Sequence, residues 1–212
     1  MKKLTGILLA VMMLLGLTAC GSGGTEESNN SGAQDAQENS GETAADISGL
    51  HHVEITVQDY GTITVELDAD TAPITVANFL KLAEEGFYDG LTFHRIISGF
   101  MIQGGDPQGD GFGGSDENII GEFAANGIEN NLNHTRGAIS MARANPYNSA
   151  SSQFFIVHED SPHLDGQYAC FGYVTDGIEV VDAICETVIP IDSNGTVPAE
   201  DQPVIESIKV ID

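Results

Sequence analysis

The sequence predicts a mainly β fold, a closed antiparallel barrel with two helices, and three observations carry that prediction. From Leu50 onward apolar and polar residues alternate in short runs separated by turn residues. Only two stretches have helical spacing. No strand and helix alternation of the kind that builds a parallel sheet is visible, so the strands are expected to pair through hairpins and close on themselves.

"HHVEITVQDYGTITVELDAD" reads as two strands around a turn at "QDYG", with Val53, Ile55 and Val57 on one face matched by Ile63, Val65 and Leu67. In "DTAPITVANFLKLAEEGFYDG", Pro73 suits a first helical turn, Val76, Phe79, Leu80 and Ala83 share a helical face, and Gly86 is placed to stop the helix. "FHRIISGFMIQGGD" follows. Strand alternation there sets Phe93, Arg95 and Ile97 on one face and His94 and Ile96 on the other. The glycine- and asparagine-rich stretch from Gly104 to Gly137 has few periodic apolar residues and is expected to form long surface loops of the kind that carry function. Strands are then expected at "GAISMAR", "SQFFIVH" and "ACFGYVT", a short helix at "IEVVDAICE", and a last strand in "PVIESIKVID".

Ahead of this domain, 49–212, stand two segments of different character. Residues 1–19, with Lys2 and Lys3 before an apolar run, read as a bacterial secretion signal, the apolar part being shorter than the ~20 residues a membrane span needs. "LTAC" resembles the lipobox of bacterial lipoproteins, which implies a diacylated Cys20, a membrane attachment through that lipid and an extracytoplasmic location on the cell membrane. Residues 20–48 lack the apolar content to offset ordering entropy and are expected to be an extended acidic tether. On the outside of a cell Cys170 and Cys185 could pair, but the apolar setting of "YACFGYV" favours a buried, free Cys170.

Charge and motif spacing exclude several functions. The chain has 7 bases and 32 acids, with two of the bases in the signal, and such a field repels phosphate backbones, so nucleic acid is excluded as a partner. The loop from Gly104 to Gly114 has no lysine and no phosphate-binding motif; its acids do not match a calcium loop and read as a solvated acidic surface. The six histidines lack metal-ligand spacing, so neither metal nor cofactor is expected. Ser140, Ser151 and Ser152 sit in no nucleophile elbow. What remains is apolar surface with a few neutral donors and Arg95, which is costly to bury among Phe93, Ile96, Ile97 and Phe100 and is expected at a pocket rim.

"FHRIISGFMIQGGD", "GAISMARA", "SQFFIVH" and "LDGQYACFG", in this order, resemble the signature blocks of cyclophilins, the cyclosporin-binding class of peptidyl-prolyl cis/trans isomerases. The resemblance covers nearly all of residues 50–212. It implies an eight-stranded antiparallel barrel capped by two helices, a groove on its outer face and catalysis of X-Pro bond rotation; with the secretion signal, the expected clients are proteins that fold after secretion. By position it implies Arg95 as the catalytic arginine, with Gln103 and Phe100 completing the catalytic set. Met101, Phe155 and Leu164 match the proline pocket, Ala142 the groove floor, His94 the histidine beside the arginine, and Ala144 the neighbouring backbone. Three positions depart from the best-known members: Arg143 replaces an asparagine, His163 a tryptophan and Tyr168 a histidine. The resemblance therefore implies binding of proline-containing polypeptides by a monomer, with cyclosporin binding weakened by the missing tryptophan. A groove-retaining, peptide-binding chaperone with weak turnover is the alternative.

Overall fold

In the computed structural model residues 47–212 are described. The signal at 1–19, Cys20 and the tether up to residue 46 lie outside them. Eight strands form one antiparallel sheet: β1 (Leu50–Val57), β2 (Gly61–Asp68), β3 (Phe93–Ile97), β4 (Met101–Gly104), β5 (Ala138–Met141), β6 (Phe154–Val157), β7 (Cys170–Asp176) and β8 (Ile205–Val210). Their spatial order is β3-β4-β6-β5-β7-β2-β1-β8. The sheet curls until its edge strands approach, and the seam is carried by the isolated bridge between Thr92 and Val204 rather than by a full ladder. Two α-helices, α1 (Pro73–Glu84) and α2 (Ile178–Thr187), complete the regular structure of the described residues together with three short 3-10 turns.

The first hairpin pairs Val53 with Val65 and Ile55 with Ile63, and all four side chains are fully buried. Asp59 and Gly61 take positive φ in its turn, 65° and 125°, where a β-branched residue would be strained. Helix α1 starts on Pro73 and ends in a Schellman arrangement: Gly86, at φ 70°, donates to the Ala83 carbonyl and Phe87 donates to that of Leu82. Its buried face holds Val76, Phe79, Leu82 and Ala83, while Leu80 is only partly buried. Leu82 thus takes the place expected for Leu80. At the other end no local side chain caps the helix; the Glu122 carboxylate, 2% exposed, accepts from the Ile74 and Thr75 amides and from the Thr75 hydroxyl.

Two apolar clusters divide the sheet. The larger fills the inside of the curl, where Phe79 packs 5.1–5.4 Å from Tyr88, Phe154 and Phe171. The smaller lies on the outer face of β4, β5, β6 and β7 and contains Met101, Ala138, Phe155, Val157, Leu164 and Cys170. Because both faces are covered there, "SQFFIVH" is apolar without alternation: Phe154 and Ile156 point inward, Phe155 and Val157 outward. Cys170 and Cys185 are both buried and free.

The expected alternation in β3 fails at one point. A register shift sets Phe93 opposite Gly104 and Arg95 opposite Gln103, so Phe93 joins Ile96 in the inner core, and only Arg95 and Ile97 face the outer cluster. Gly104 belongs to this arrangement, since a β-carbon there would lie 3.0 Å from the Phe93 ring and 2.8 Å from the Thr92 carbonyl.

Candidate active site

The outer cluster forms the floor of a cavity of about 330 Å³, and the curl of the sheet brings residues from four parts of the chain to its edge. Met101, Phe155 and Leu164 supply a buried apolar base, with Phe100 and Ala142 partly buried beside them. Arg95 stands at the rim. Its Nε donates to the Asn194 carbonyl at 2.8 Å and its Nη1 donates to Gln103 Oε1 at 3.1 Å and lies 4.0 Å from the Met101 sulfur. Among the described residues no acceptor holds the Nη2 N–H pair. Partial burial pushes the Arg95 pKa down, while Tyr168 and Asp192 act against that shift.

The guanidinium is aimed by a relay rather than by one contact. Gln103 Nε2 donates to Gln153 Oε1 at 2.8 Å, and Gln153 Nε2 donates to the Gly113 carbonyl at 2.7 Å. That carbonyl belongs to the glycine loop expected to be a solvated acidic surface; Asp110, Asp116 and Glu117 are exposed as expected, and Asp106 is the correction. It is 1% exposed, and its carboxylate accepts from the amides of Gln108, Asp110 and Gly111 at 2.8, 3.2 and 2.6 Å. Burial raises its pKa but these amides outweigh burial and hold it below the ordinary carboxylate value. The loop so organised carries Phe112, 91% exposed, to the junction of this cavity with a second one.

The second cavity, about 350 Å³, is lined by Gln103, Phe112, Ala142, Arg143, Ala144 and Gln153 among others. Tyr168 lines the first, edge-on to Phe155 with ring centroids 6.0 Å apart. His94 also borders the first cavity; it is 4% exposed with neither ring nitrogen hydrogen-bonded among the described residues, and burial pushes its pKa below the ordinary value. His163 lines neither cavity, and its ring lies 5.4 Å from that of Phe100. The structure therefore gathers Arg95, Phe100, Met101, Gln103, Ala142, Arg143, Phe155, Leu164, Tyr168 and His94 around one cavity, with Ala144 on the second and His163 just outside both.

Asn194 and Thr196 at the Arg95 side, Gln153 in the relay and Phe112 at the junction were missed in the sequence. Asn194 and Thr196 lie about a hundred residues from Arg95, and only the bridge between Arg95 and Thr196 brings them there. The structure also builds an array that motif spacing gave no sign of. His134 Nδ1 lies 2.9 Å from Asp165 Oδ1, its Nε2 lies 3.0 Å from Ser140 Oγ, and its ring stacks on Phe155 at 6.0 Å. Ser140 is fully buried, which keeps its hydroxyl from any substrate, so the array supports the cavity floor and attacks nothing.

Fold and site together define a groove suited to a reaction that makes no covalent bond: an apolar base of Met101, Phe155 and Leu164 with the oriented Arg95 guanidinium at its edge. The model of the cyclophilin type peptidyl-prolyl cis-trans isomerase family matches residues 52–210, and the chain belongs to that family. Its enzymatic class is accordingly peptidyl-prolyl cis-trans isomerase. It is 52% identical over 123 residues to peptidyl-prolyl cis-trans isomerase B of Bacillus subtilis, covering 58% of this chain and 82% of that protein. A peptidyl-prolyl cis-trans isomerase of Synechococcus elongatus is 51% identical over 116 residues, 55% of this chain and 75% of its own length. Among solved structures, a Cryptosporidium parvum cyclophilin type isomerase crystallised in the presence of the dipeptide Ala-Pro matches with a TM-score of 0.67 at 34% identity, covering 76% of this chain and 99% of that one.

Proposed function

We propose that this isomerase acts outside the cytoplasm, held at the cell membrane by a lipid on Cys20, on proline-containing polypeptides that fold after secretion, and that Arg95 is its catalytic group. The observation that carries the assignment to Arg95 is its geometry: Nε and Nη1 are committed to Asn194 and Gln103, the Nη2 N–H pair has no acceptor among the described residues, and Arg95 lines the same cavity as Met101, Phe155 and Leu164. The Ala-Pro dipeptide present with the Cryptosporidium relative agrees with a proline in this groove. The secretion signal and the "LTAC" sequence support the anchoring.

Rotation about an X-Pro bond crosses a barrier of about 20 kcal/mol set by amide resonance, and no covalent bond is made or broken. In the twisted state the proline nitrogen regains its lone pair and becomes basic. A guanidinium N–H donated to that nitrogen stabilises the twisted state and has no counterpart in either planar one, which is the condition for a rate effect. Arg95 suits the task because it stays charged and its planar fork is rigid. The apolar floor holds the pyrrolidine ring and strips water from the amide, disfavouring the charge-separated resonance form. Gln103 and the 142–144 backbone hold the chain beside the ring, so that rotation is confined to one bond.

Cis/trans exchange of a proline tetrapeptide, followed by NMR on residues 47–212, tests the role of Arg95. Arg95→Ala is expected to lower the catalysed exchange about a hundredfold with the amide spectrum of the fold preserved, in line with loss of one transition-state donor. An exchange rate equal to that of the unchanged protein would remove Arg95 from the mechanism, and saturable binding without exchange in the unchanged protein would favour the chaperone reading. For the anchor, labelled fatty acid fed to cells making the full chain should enter the protein, and Cys20→Ser should abolish both the label and membrane fractionation; label retained in the variant would refute that attachment.

A further inference from the structure

Two of the three departures from the best-known cyclophilins meet in space. The Arg143 guanidinium carbon lies 4.6 Å from the Tyr168 ring centroid and 5.1 Å from those of Phe123 and Tyr147. Its Nε and Nη2 donate to the Gln167 carbonyl at 3.1 and 2.8 Å, and its Nη1 donates to the carbonyls of Ala144 and Asn145 at 2.9 and 3.4 Å. A guanidinium has five N–H bonds, and four of them are used in this way. A side chain so committed is poorly placed to recognise a substrate directly. It does join two segments that border the groove, 142–149 and 167–168, and the joint continues into the pocket because Tyr168 packs edge-on against Phe155.

We propose that Arg143 is a positioning residue that fixes the Tyr168 wall of the groove by clamping Tyr168 against Phe155, and so sets how tightly peptide is held rather than how fast the bond turns. Arg95, which acts on the reacting nitrogen, shares none of Arg143's hydrogen-bond partners. Only arginine meets the demands of the clamp. A lysine keeps the charge but lacks the planar face that stacks on rings and the fork that reaches three carbonyls. The aromatic cage makes a second, separable demand: Tyr147 lines neither cavity, yet its removal takes away one ring of the clamp.

The inference rests on the isomerase reading for its kinetic arm only, because peptide affinity is measured independently. Steady-state kinetics and NMR titration with an Ala-Ala-Pro-Phe tetrapeptide are run on the unchanged protein, Arg143→Ala, Arg143→Lys and Tyr147→Leu. All three variants are expected to raise KM and peptide Kd about three- to tenfold with kcat within twofold, and the lysine variant is expected to give no rescue. In the unchanged protein the Arg143 Nε–H resonance should be ring-current shifted, and Tyr147→Leu should move it towards its random-coil position. Wild-type affinity in Arg143→Lys would show that charge alone suffices and would overturn the clamp, as would unchanged affinity in Tyr147→Leu. A fall in kcat at constant KM in Arg143→Ala would place Arg143 in the rotation step instead. Tyr147 is largely a surface residue, so its variant keeps the proposal open to refutation if Arg143→Ala fails to fold. An unchanged protein that binds peptide without turnover would strike the activity and leave the clamp to be judged on Kd.

Discussion

Arg95 works in the proposed mechanism only if its fork is held at one angle over the cavity floor, and Gln103 is the side chain that holds it. The 3.1 Å contact from Nη1 to Gln103 Oε1 is a hydrogen bond to a charged group, a type that contributes roughly 1.5–3 kcal/mol. Gln103→Leu keeps the size of the side chain and removes this bond together with the link to Gln153. Catalysed exchange is expected to fall about tenfold, since misaiming a transition-state donor costs part of its effect. Thermal stability should change little because Gln103 is only partly buried. Activity equal to that of the unchanged protein would show that Asn194 alone orients the guanidinium. Arg95 itself was legible in the sequence, for an arginine among phenylalanines and isoleucines has few stable placements other than a rim. Its partner Asn194 was not, because a backbone carbonyl carries no residue-type signal.

At the scale of elements, the groove depends on loops that lack regular structure but not internal hydrogen bonds. Asp106 accepts from three amides of its own loop, and that loop carries Phe112 and the Gly113 carbonyl that ends the relay from Arg95. Asp106→Ala removes the shared acceptor of three part-buried loop hydrogen bonds, at a cost of about 1–3 kcal/mol. The expected result is a lower thermal midpoint together with weaker peptide binding; a variant as stable as the parent would show that water replaces the carboxylate without loss. Asp106 looked as solvated as the exposed Asp110, Asp116 and Glu117 because a one-dimensional reading sees spacing and not burial. Glu122 at the start of α1 is the same case: the helix was predicted from Pro73, its periodicity and Gly86, but its cap comes from 47 residues downstream. Phe93 shows the opposite limit. Strict alternation assigned it to the face of Arg95, and a register shift, which depends on pairing with β4, turned it into the core.

The whole molecule responds to acid through two buried imidazoles. Burial pushes the pKa values of His94 and His134 below the ordinary 6.5. Asp106 and Asp110 oppose the shift at His94, where Arg95 reinforces it; Asp165 opposes it at His134, where His163 reinforces it. The unfolded chain takes up protons on both histidines as pH falls through about 6.5, whereas the folded chain does not. Stability is therefore fully present above that pH and declines as pH drops below it, until the folded-state values are reached. His52, beside Asp212 and Glu66, is shifted upward and works in the other direction, but it is exposed and its pairs are screened. Thermal midpoints measured from pH 8 to pH 5 should fall towards pH 5, and His134→Asn, compared with its own midpoint at pH 8, should show a shallower decline. A midpoint constant or rising towards pH 5 would contradict the burial of these rings as neutral groups.

Residue order alone pointed to an antiparallel β domain with two helices, offered no metal, phosphate or nucleophile motif, and through its four blocks implied Arg95, Phe100, Met101, Gln103, Phe155 and Leu164 as one set, which the fold brings to a single cavity. Alternation, helix-stop glycines and the four blocks are local properties, so they survive without knowledge of the fold. Tertiary structure decided which partners meet: Asn194 with Arg95, Glu122 with α1, Ser140 with His134 and Asp165, and Arg143 with Tyr168. Those pairings follow from the curl and register of the sheet, which bring together residues far apart in the chain to satisfy buried polar groups, and no local pattern encodes them.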